Sequence, residues 1–441
     1  MARPAVGTAR PARIGRPAAL ERAQARFEPM RQCHPMPDQT LSVVQPRTSA
    51  GPSTAAGIAG LAVAQLEAWF RERGEPTFRA RQVLDAVWRS GAPDPSAIST
   101  LPAGTRAALA AAFRWDTVAD SELTVADGGR TEKALHRLGD DVAIESVLMH
   151  YPGGPDRRER NTLCLSSQAG CAVGCPFCAT GELGFGRDLE TAEILDQVRV
   201  AARRLAPRGR RLTNIVFMGM GEPLLNLDRV LEAVEALNDP ARFGLGARHI
   251  TVSTSGVVPG IRRLTALGPQ FTLAISLHAA RDPLRDVLVP LNRRWPVAEV
   301  VAAAREHATA TGRRISYEVT MIGGVNDTDD DADAMASLLR GTLAHVNLIP
   351  MNAVAHTPWT ASPMPVIEHF AERLRTVGLS VTIRRNRGQE VGAACGQLAA
   401  ERAGAPSAPS VARRRERLVA SSAAALRGER SIETSPVGWD D

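Results

Sequence analysis

Seven short apolar runs, at 162–166, 214–218, 249–253, 272–276, 315–320, 345–349 and 381–384, alternate with gaps long enough to hold a helix, as 192–204 and 298–310 illustrate. Alternation of this kind implies an α/β fold, in which parallel strands are joined by right-handed helical crossovers. Loops that follow the carboxyl ends of such strands are where functional residues collect. The unusual residues of the chain therefore matter most where they follow these runs.

Cysteine is the most unusual of them. The chain has 441 residues and six cysteines, and three of these, Cys171, Cys175 and Cys178, form a Cys-x3-Cys-x2-Cys run just past the first strand. Three thiolates on one tight loop can hold three irons of a [4Fe-4S] cube and leave the fourth iron open to a small ligand. A zinc knuckle is the alternative, although it would need a fourth Cys or a His at compact spacing, and none lies close by. With three of six cysteines in one loop and no convincing secretory signal, a disulfide framework is not expected, and a reducing cytoplasm is the natural compartment. No apolar run is long enough to suggest a transmembrane helix.

Other segments occur in a telling order: Thr162-Leu-Cys-Leu-Ser-Ser-Gln-Ala-Gly-Cys171, the cysteine run with aromatic Phe177 before its last member, Met218-Gly-Met-Gly-Glu-Pro-Leu224, Ser276-Leu-His278 and Ala394-Cys-Gly-Gln-Leu398. Together they resemble the RlmN/Cfr family of radical S-adenosylmethionine (SAM) enzymes, which methylate RNA adenosines. The likeness runs over roughly residues 60 to 400. The resemblance sharpens the α/β expectation into a partial (β/α)6 radical SAM barrel with a small N-terminal helical accessory domain. It implies one [4Fe-4S] cluster per chain on Cys171, Cys175 and Cys178. It also implies SAM contacts from Gly221, Glu222, Ser253, Ser276, Leu277, His278 and Asn352, with two SAM molecules used per turnover.

By the same resemblance, Cys395 carries a methyl group, Cys164 later resolves it by forming a Cys164–Cys395 disulfide, and Glu145 acts as general base. C2 of adenine is electrophilic, so a radical route avoids an unfavourable polar methyl transfer. The implied substrates are one adenosine in the peptidyl transferase centre of 23S rRNA and adenosine 37 of tRNAs. A flavodoxin- or ferredoxin-type protein would supply electrons to a monomeric enzyme. The Cfr relatives methylate C8 instead with the same cysteines and so give antibiotic resistance. Met218 to Leu224 and Ser253-Thr-Ser-Gly-Val-Val-Pro259 resemble the RlmN side more closely. An iron-sulfur RNA-binding regulator would need none of Cys164, Cys395 and Glu145.

The net charge of +6 is carried by the ends. Residues 1–57 hold eight Arg against Glu21, Glu28 and Asp38, and residues 401–441 hold seven Arg against six acids, so the centre is about neutral. RNA binding must then come from local patches, with candidates in Arg203, Arg204, Arg208, Arg210 and Arg211, and in the run 384–387. Five segments follow: an Ala/Pro/Arg-rich disordered arm at 1–57 that contains Cys33, a helical accessory domain at 58–121, a strand-rich connector at 122–160, the catalytic barrel at 161–400, and a low-complexity tail at 401–441 with a short basic helix at 411–426. In the accessory domain, Leu61, Leu66, Trp69 and Phe70, then Val83, Leu84, Val87 and Trp88, fall on helical faces. Phe78-Arg-Ala-Arg-Gln82 matches the family's pattern there, which the family connects with RNA binding.

Overall fold

The computed structural model describes residues 55–155, 158–384, 387–398 and 408–429. Cys33 and the arm up to residue 54, Arg385 and Asn386, and tail residues 399–407 and 430–441 lie outside the described residues.

The first part is helical: α1 (Val63–Glu72), α2 (Arg79–Trp88) and α3 (Ala103–Ala112). Leu66 and Phe70 of α1 and Val83, Leu84, Val87 and Trp88 of α2 are buried, as their spacing requires, and Leu109 of α3 joins them. Three antiparallel strands follow, β1 (Val118–Ala126), β2 (Thr131–Leu138) and β3 (Ala143–Tyr151). Then come β4 (Arg160–Cys164), a ribbon of β5 (Gln168–Gly170) and β6 (Phe185–Asp188) that brackets α4 (Ala179–Leu183), α5 (Thr191–Leu205), β7 (Asn214–Phe217), α6 (Leu227–Asn238), β8 (Ile250–Thr254), α7 (Val258–Leu267) and β9 (Thr272–Ser276). The remainder is α8 (Asp282–Leu288), α9 (Val297–Thr311), β10 (Ile315–Met321), α10 (Asp329–Leu339), β11 (Ala344–Pro350), α11 (Met364–Thr376), β12 (Ser380–Ile383) and α12 (Ala408–Leu426).

One ten-stranded sheet runs in the order β1-β2-β3-β4-β7-β8-β9-β10-β11-β12. From β4 to β12 every neighbouring pair is parallel, which is the crossover topology read from the sequence. Residues such as Ile215, Phe217, Val252, Ile275, Val319 and Leu348 are fully buried, and they form the core between strands and helices. β3 pairs antiparallel with β4, so the strand-rich connector is an extension of the same sheet. Among the described residues β12 and β1 do not pair, and the barrel stays open. No helix among the described residues is long and apolar enough to cross a membrane.

A buried polar knot fastens the helical part to the barrel. The Asp196 carboxylate accepts from Thr117 N at 2.7 Å, Thr117 Oγ1 at 2.6 Å and Arg199 Nη1 at 2.5 Å, and Arg199 also donates to the Trp115 carbonyl at 2.7 Å. Both members of the Asp196–Arg199 pair are almost wholly buried. Asp196→Ala would leave the Arg199 charge buried with only Asp116 nearby, so we expect a loss of about 3–5 kcal/mol, measurable by urea unfolding.

Candidate functional site

The cysteine loop hangs from the β5–β6 ribbon. Gly170 has φ +79°, and a Cβ there would fall 1.9 Å from the Gly184 carbonyl oxygen, so only glycine lets the two ribbon strands close. Cys171 N then donates to Gly184 O at 2.8 Å, and Cys178 N to Cys175 O at 3.0 Å. This curls Cys171, Cys175 and Cys178 around one cavity at the carboxyl ends of the parallel strands. Phe177 packs against His278 in a tilted arrangement, with ring centroids 4.6 Å apart and an interplanar angle of 55°. Burial pushes the Cys171 thiol up to about 12, and Cys175 and Cys178 are raised for the same reason. Thiols so disfavoured as anions become thiolates only against a cation.

Gly221, Glu222, Ser253, Ser276, His278 and Asn352 line the same cavity, and Cys395 closes it from the C-terminal side. Gly221 has φ +101°, and a Cβ on it would sit 2.8 Å from the Gln168 backbone nitrogen. The buried Glu222 carboxylate accepts from Ser255 N and Oγ, both at 2.7 Å, and from Leu224 N at 3.0 Å, while its own N–H donates to Gln168 Oε1 at 2.8 Å. Burial raises its carboxyl above the usual range, against the pull of those donors. Ser253 Oγ is tied to the Phe217 carbonyl at 2.6 Å.

His278 has φ +60°, a strained setting for a non-glycine residue. Its Nδ1 accepts from Thr320 N at 3.1 Å, and burial beside the Arg285 charge pushes it down to about 3. The ring is therefore neutral at physiological pH, with its proton on Nε2. Leu277 differs from its neighbours. Its side chain is buried in the core, and only its backbone serves the site, donating to Glu318 O at 2.9 Å and accepting from Arg285 Nε at 3.0 Å. Arg285, fully buried, also donates to Ser255 O at 2.6 Å and Ser276 O at 3.2 Å, and so laces together the loops after β8 and β9.

A second cavity adjoins the first and shares Cys178, Met218, Arg384 and Cys395 with it. Cys164, at the end of β4, lines the second cavity together with Cys395. Both are free thiols. Burial, and then the nearby Cys395, push the Cys164 thiol up to about 12. The segment bearing Cys395 is clamped onto the cysteine loop: Ala179 N donates to Gly396 O at 2.6 Å and Thr180 Oγ1 to Leu398 O at 2.7 Å. Asn352 joins the clamp, donating to Cys395 O at 2.9 Å and accepting from Gln389 Nε2 at 2.7 Å. Electrostatic attraction to Cys395 reinforces the charge on Arg384.

Glu145 lines neither cavity. It lies on the face of β3 that also carries Val147, Met149 and Tyr151, which do line the second cavity, and its carboxylate is paired with Lys133 at 2.9 Å. The first arginine cluster is not a free RNA patch. Arg203 is paired with Asp116, Arg204 and Arg208 with Glu132, and Arg210 with Glu159. These ion pairs account for four of the five candidates as structural charges.

Residues 165–339 match the radical SAM superfamily. A protein of Parafrankia sp. (strain EAN1pec), described as "probable dual-specificity RNA methyltransferase RlmN", is 51% identical over 342 residues, covering 74% of this chain and 87% of the relative. One of the same description from Mycolicibacterium paratuberculosis is 50% identical over 337 residues, covering 75% and 91%. The chain belongs to the RlmN family of radical SAM RNA methyltransferases. The crystal structure of a radical SAM methyltransferase from Sphaerobacter thermophilus shares its fold, with a TM-score of 0.75 and 45% identity, covering 78% of this chain and all of that one.

Family membership implies a [4Fe-4S] cluster and SAM, and the donor set fits them. Among the described residues no three His, Cys, Asp or Glu side chains converge on a single metal-ion position. A cube spreads three thiolates over three irons, and three partly exposed thiols that line one cavity suit that arrangement. Several members of the site were not singled out in the sequence: Gln168, Ser255, Lys133 and Arg285. Gln168 and Ser255 lay inside the quoted motifs. Arg285 carried no such signal, since it sits beside Asp286 in the mixed run Leu284-Arg-Asp-Val-Leu288.

Gly221→Ala must displace Gln168 and with it the Glu222 loop; about a hundredfold loss of turnover is expected, with the fold intact by circular dichroism. In the folded, reduced chain, alkylation of Cys164 should keep accelerating above pH 9 without a plateau, whereas in urea it should level off near the ordinary thiol range.

Proposed function

We propose that this RNA methyltransferase acts at C2 of one adenosine in the peptidyl transferase centre of 23S rRNA and at adenosine 37 of tRNAs. The observation that carries the mechanism is that Cys164 and Cys395, both free, line one cavity that opens onto the cavity of the three loop cysteines. Cys171, Cys175 and Cys178 would hold one [4Fe-4S] cluster per chain. Gly221, Glu222, Ser253, Ser276, His278, Asn352 and the backbone of Leu277 would hold SAM. When bound, these groups supply a methyl group and, with one electron from a flavodoxin- or ferredoxin-type donor, a 5′-deoxyadenosyl radical.

The chain's own residues do the rest. Cys395 Sγ takes the methyl group as a nucleophile, in the cavity that Arg384 also lines. After that methyl loses a hydrogen atom, its carbon adds to the adenine carbon presented in the second cavity. Glu145 accepts the proton which that carbon gives up, and Lys133, its ion-pair partner, steadies the carboxylate beforehand. The adduct also gives up one electron, which returns to the site that supplied the first. Cys164 Sγ then attacks Cys395 Sγ, so that the S–CH2 bond breaks as the Cys164–Cys395 disulfide forms, and the released carbon takes up the proton that Cys164 loses to become the methyl group of the base. Burial keeps Cys164 protonated until then, which protects the methyl carrier from premature attack. The accessory helices would contribute to RNA binding, and the enzyme would work as a cytoplasmic monomer.

Nucleoside mass spectrometry of 23S rRNA and tRNA incubated anaerobically with reconstituted protein, SAM and a reductant should reveal 2-methyladenosine. Cys395→Ala should abolish it, Glu145→Gln should slow it by about 10²- to 10⁴-fold, and Cys164→Ala should leave RNA covalently held on Cys395. An 8-methyladenosine product would instead place the chain with the Cfr-type enzymes.

A further inference from the structure

Most arginines of the sheet face around β2 and α5 are neutralised by the carboxylates named above. Arg160, Arg384 and Arg387 are different: among the described residues no carboxylate is hydrogen-bonded to any of them. Arg384 and Arg387 line the second cavity, as does Tyr151. The Arg160 guanidinium lies 4.2 Å from the centroid of the Tyr151 ring, and that of Arg387 lies 4.3 Å from the same centroid. Tyr151 and Arg160 are register partners on β3 and β4, so the sheet fixes their separation. Arg387 is held by donating from Nη1 to His150 O at 2.9 Å.

Two guanidiniums on one ring repel each other, and the ring repays only part of that cost. The arrangement therefore favours an anion between or beside them. Planar, stacked guanidiniums with free N–H edges are suited to phosphate, which they can bind through paired hydrogen bonds. The Tyr151 ring is already covered by guanidinium, so it is not open to stack a base. Its position at the rim of the cavity of Cys164 and Cys395 says which phosphate is meant.

We propose that Tyr151, Arg160 and Arg387 form a phosphate clamp that grips the RNA backbone next to the adenosine entering the second cavity. The proposal rests on the reading of RNA as substrate. Such contacts set register and orientation, and they leave the choice of base to the cavity below.

The test uses cluster-loaded full-length protein and a transcribed 23S rRNA fragment that contains the peptidyl transferase loop, with affinity measured across a series of KCl concentrations. Arg160→Ala and Arg387→Ala should each weaken binding about tenfold at roughly 0.1 M salt and lower the slope of log K against log salt by about one. KM should rise in both while kcat, cluster absorbance and SAM affinity hold. Arg160→Lys, a milder change, should keep the slope and lose part of the affinity. Variants that bind this RNA with wild-type affinity and slope would overturn the clamp while leaving the RNA reading intact. A wild-type protein with no salt-dependent RNA binding would overturn both.

Discussion

The hydrogen bond from Ala179 N to Gly396 O, 2.6 Å long, joins segments more than two hundred residues apart. It fixes Cys395, the proposed methyl carrier, against the cysteine loop proposed to hold the cluster, and much of the site follows from it. Cys395 borders both cavities because its neighbour is anchored one residue past Cys178. Asn352 reaches this segment from the end of β11, and Thr180 from α4. A radical reaction needs its reacting atoms in near-contact before the radical forms, so a rigid joint between these two loops suits the chemistry better than a mobile one.

Burial is the second constraint, and it acts differently on each group. It makes His278 a neutral hydrogen-bond donor, keeps Cys164 a thiol, and makes the three loop cysteines dependent on a cation. Arg285 is the one charge buried completely among them, and it donates to backbone carbonyls and to the Asn292 side chain, which in turn donates to Asp282 and Asp286. A carboxylate in direct contact would cancel more of the positive potential behind the cavity than Asp282 and Asp286 do through Asn292. With carbonyl partners, the charge remains to favour thiolates on one side and to disfavour a protonated His278 on the other.

The parallel strands were legible because buried strands need unbroken apolar runs, and all seven appear within a few residues of where the runs lie. The cysteine loop was legible from the spacing of its thiols, whereas the glycine, carboxylate, serine, histidine and asparagine around the first cavity were legible only through the family resemblance of their motifs, because each alone has common structural uses. Other features were hidden. Nothing in the sequence of 118–151 says that this meander continues the barrel sheet, since antiparallel pairing leaves no mark of which edge it joins. Lys133 could not be paired with Glu145 without the β2–β3 register. The tail helix was visible as a short basic helix at 411–426, and the structure extends it to Ala408–Leu426, with Leu418 and Ala425 buried and Arg414 paired with Glu182 just past the cysteine loop.

Charge shows most plainly why composition alone misleads. A cluster of five arginines within nine residues looks like an RNA patch, yet four of its members fasten α5 and the turn after it to acids on other elements. A few scattered arginines with no carboxylate hydrogen-bonded to them among the described residues, drawn from β4 and from the loop after β12, converge near a cavity mouth through the sheet. An ion pair already satisfied has little to offer a phosphate, because binding would have to repay the broken pair. The capacity of this chain to attract RNA is therefore set less by how many cations it carries than by which of them the fold has left without an anion.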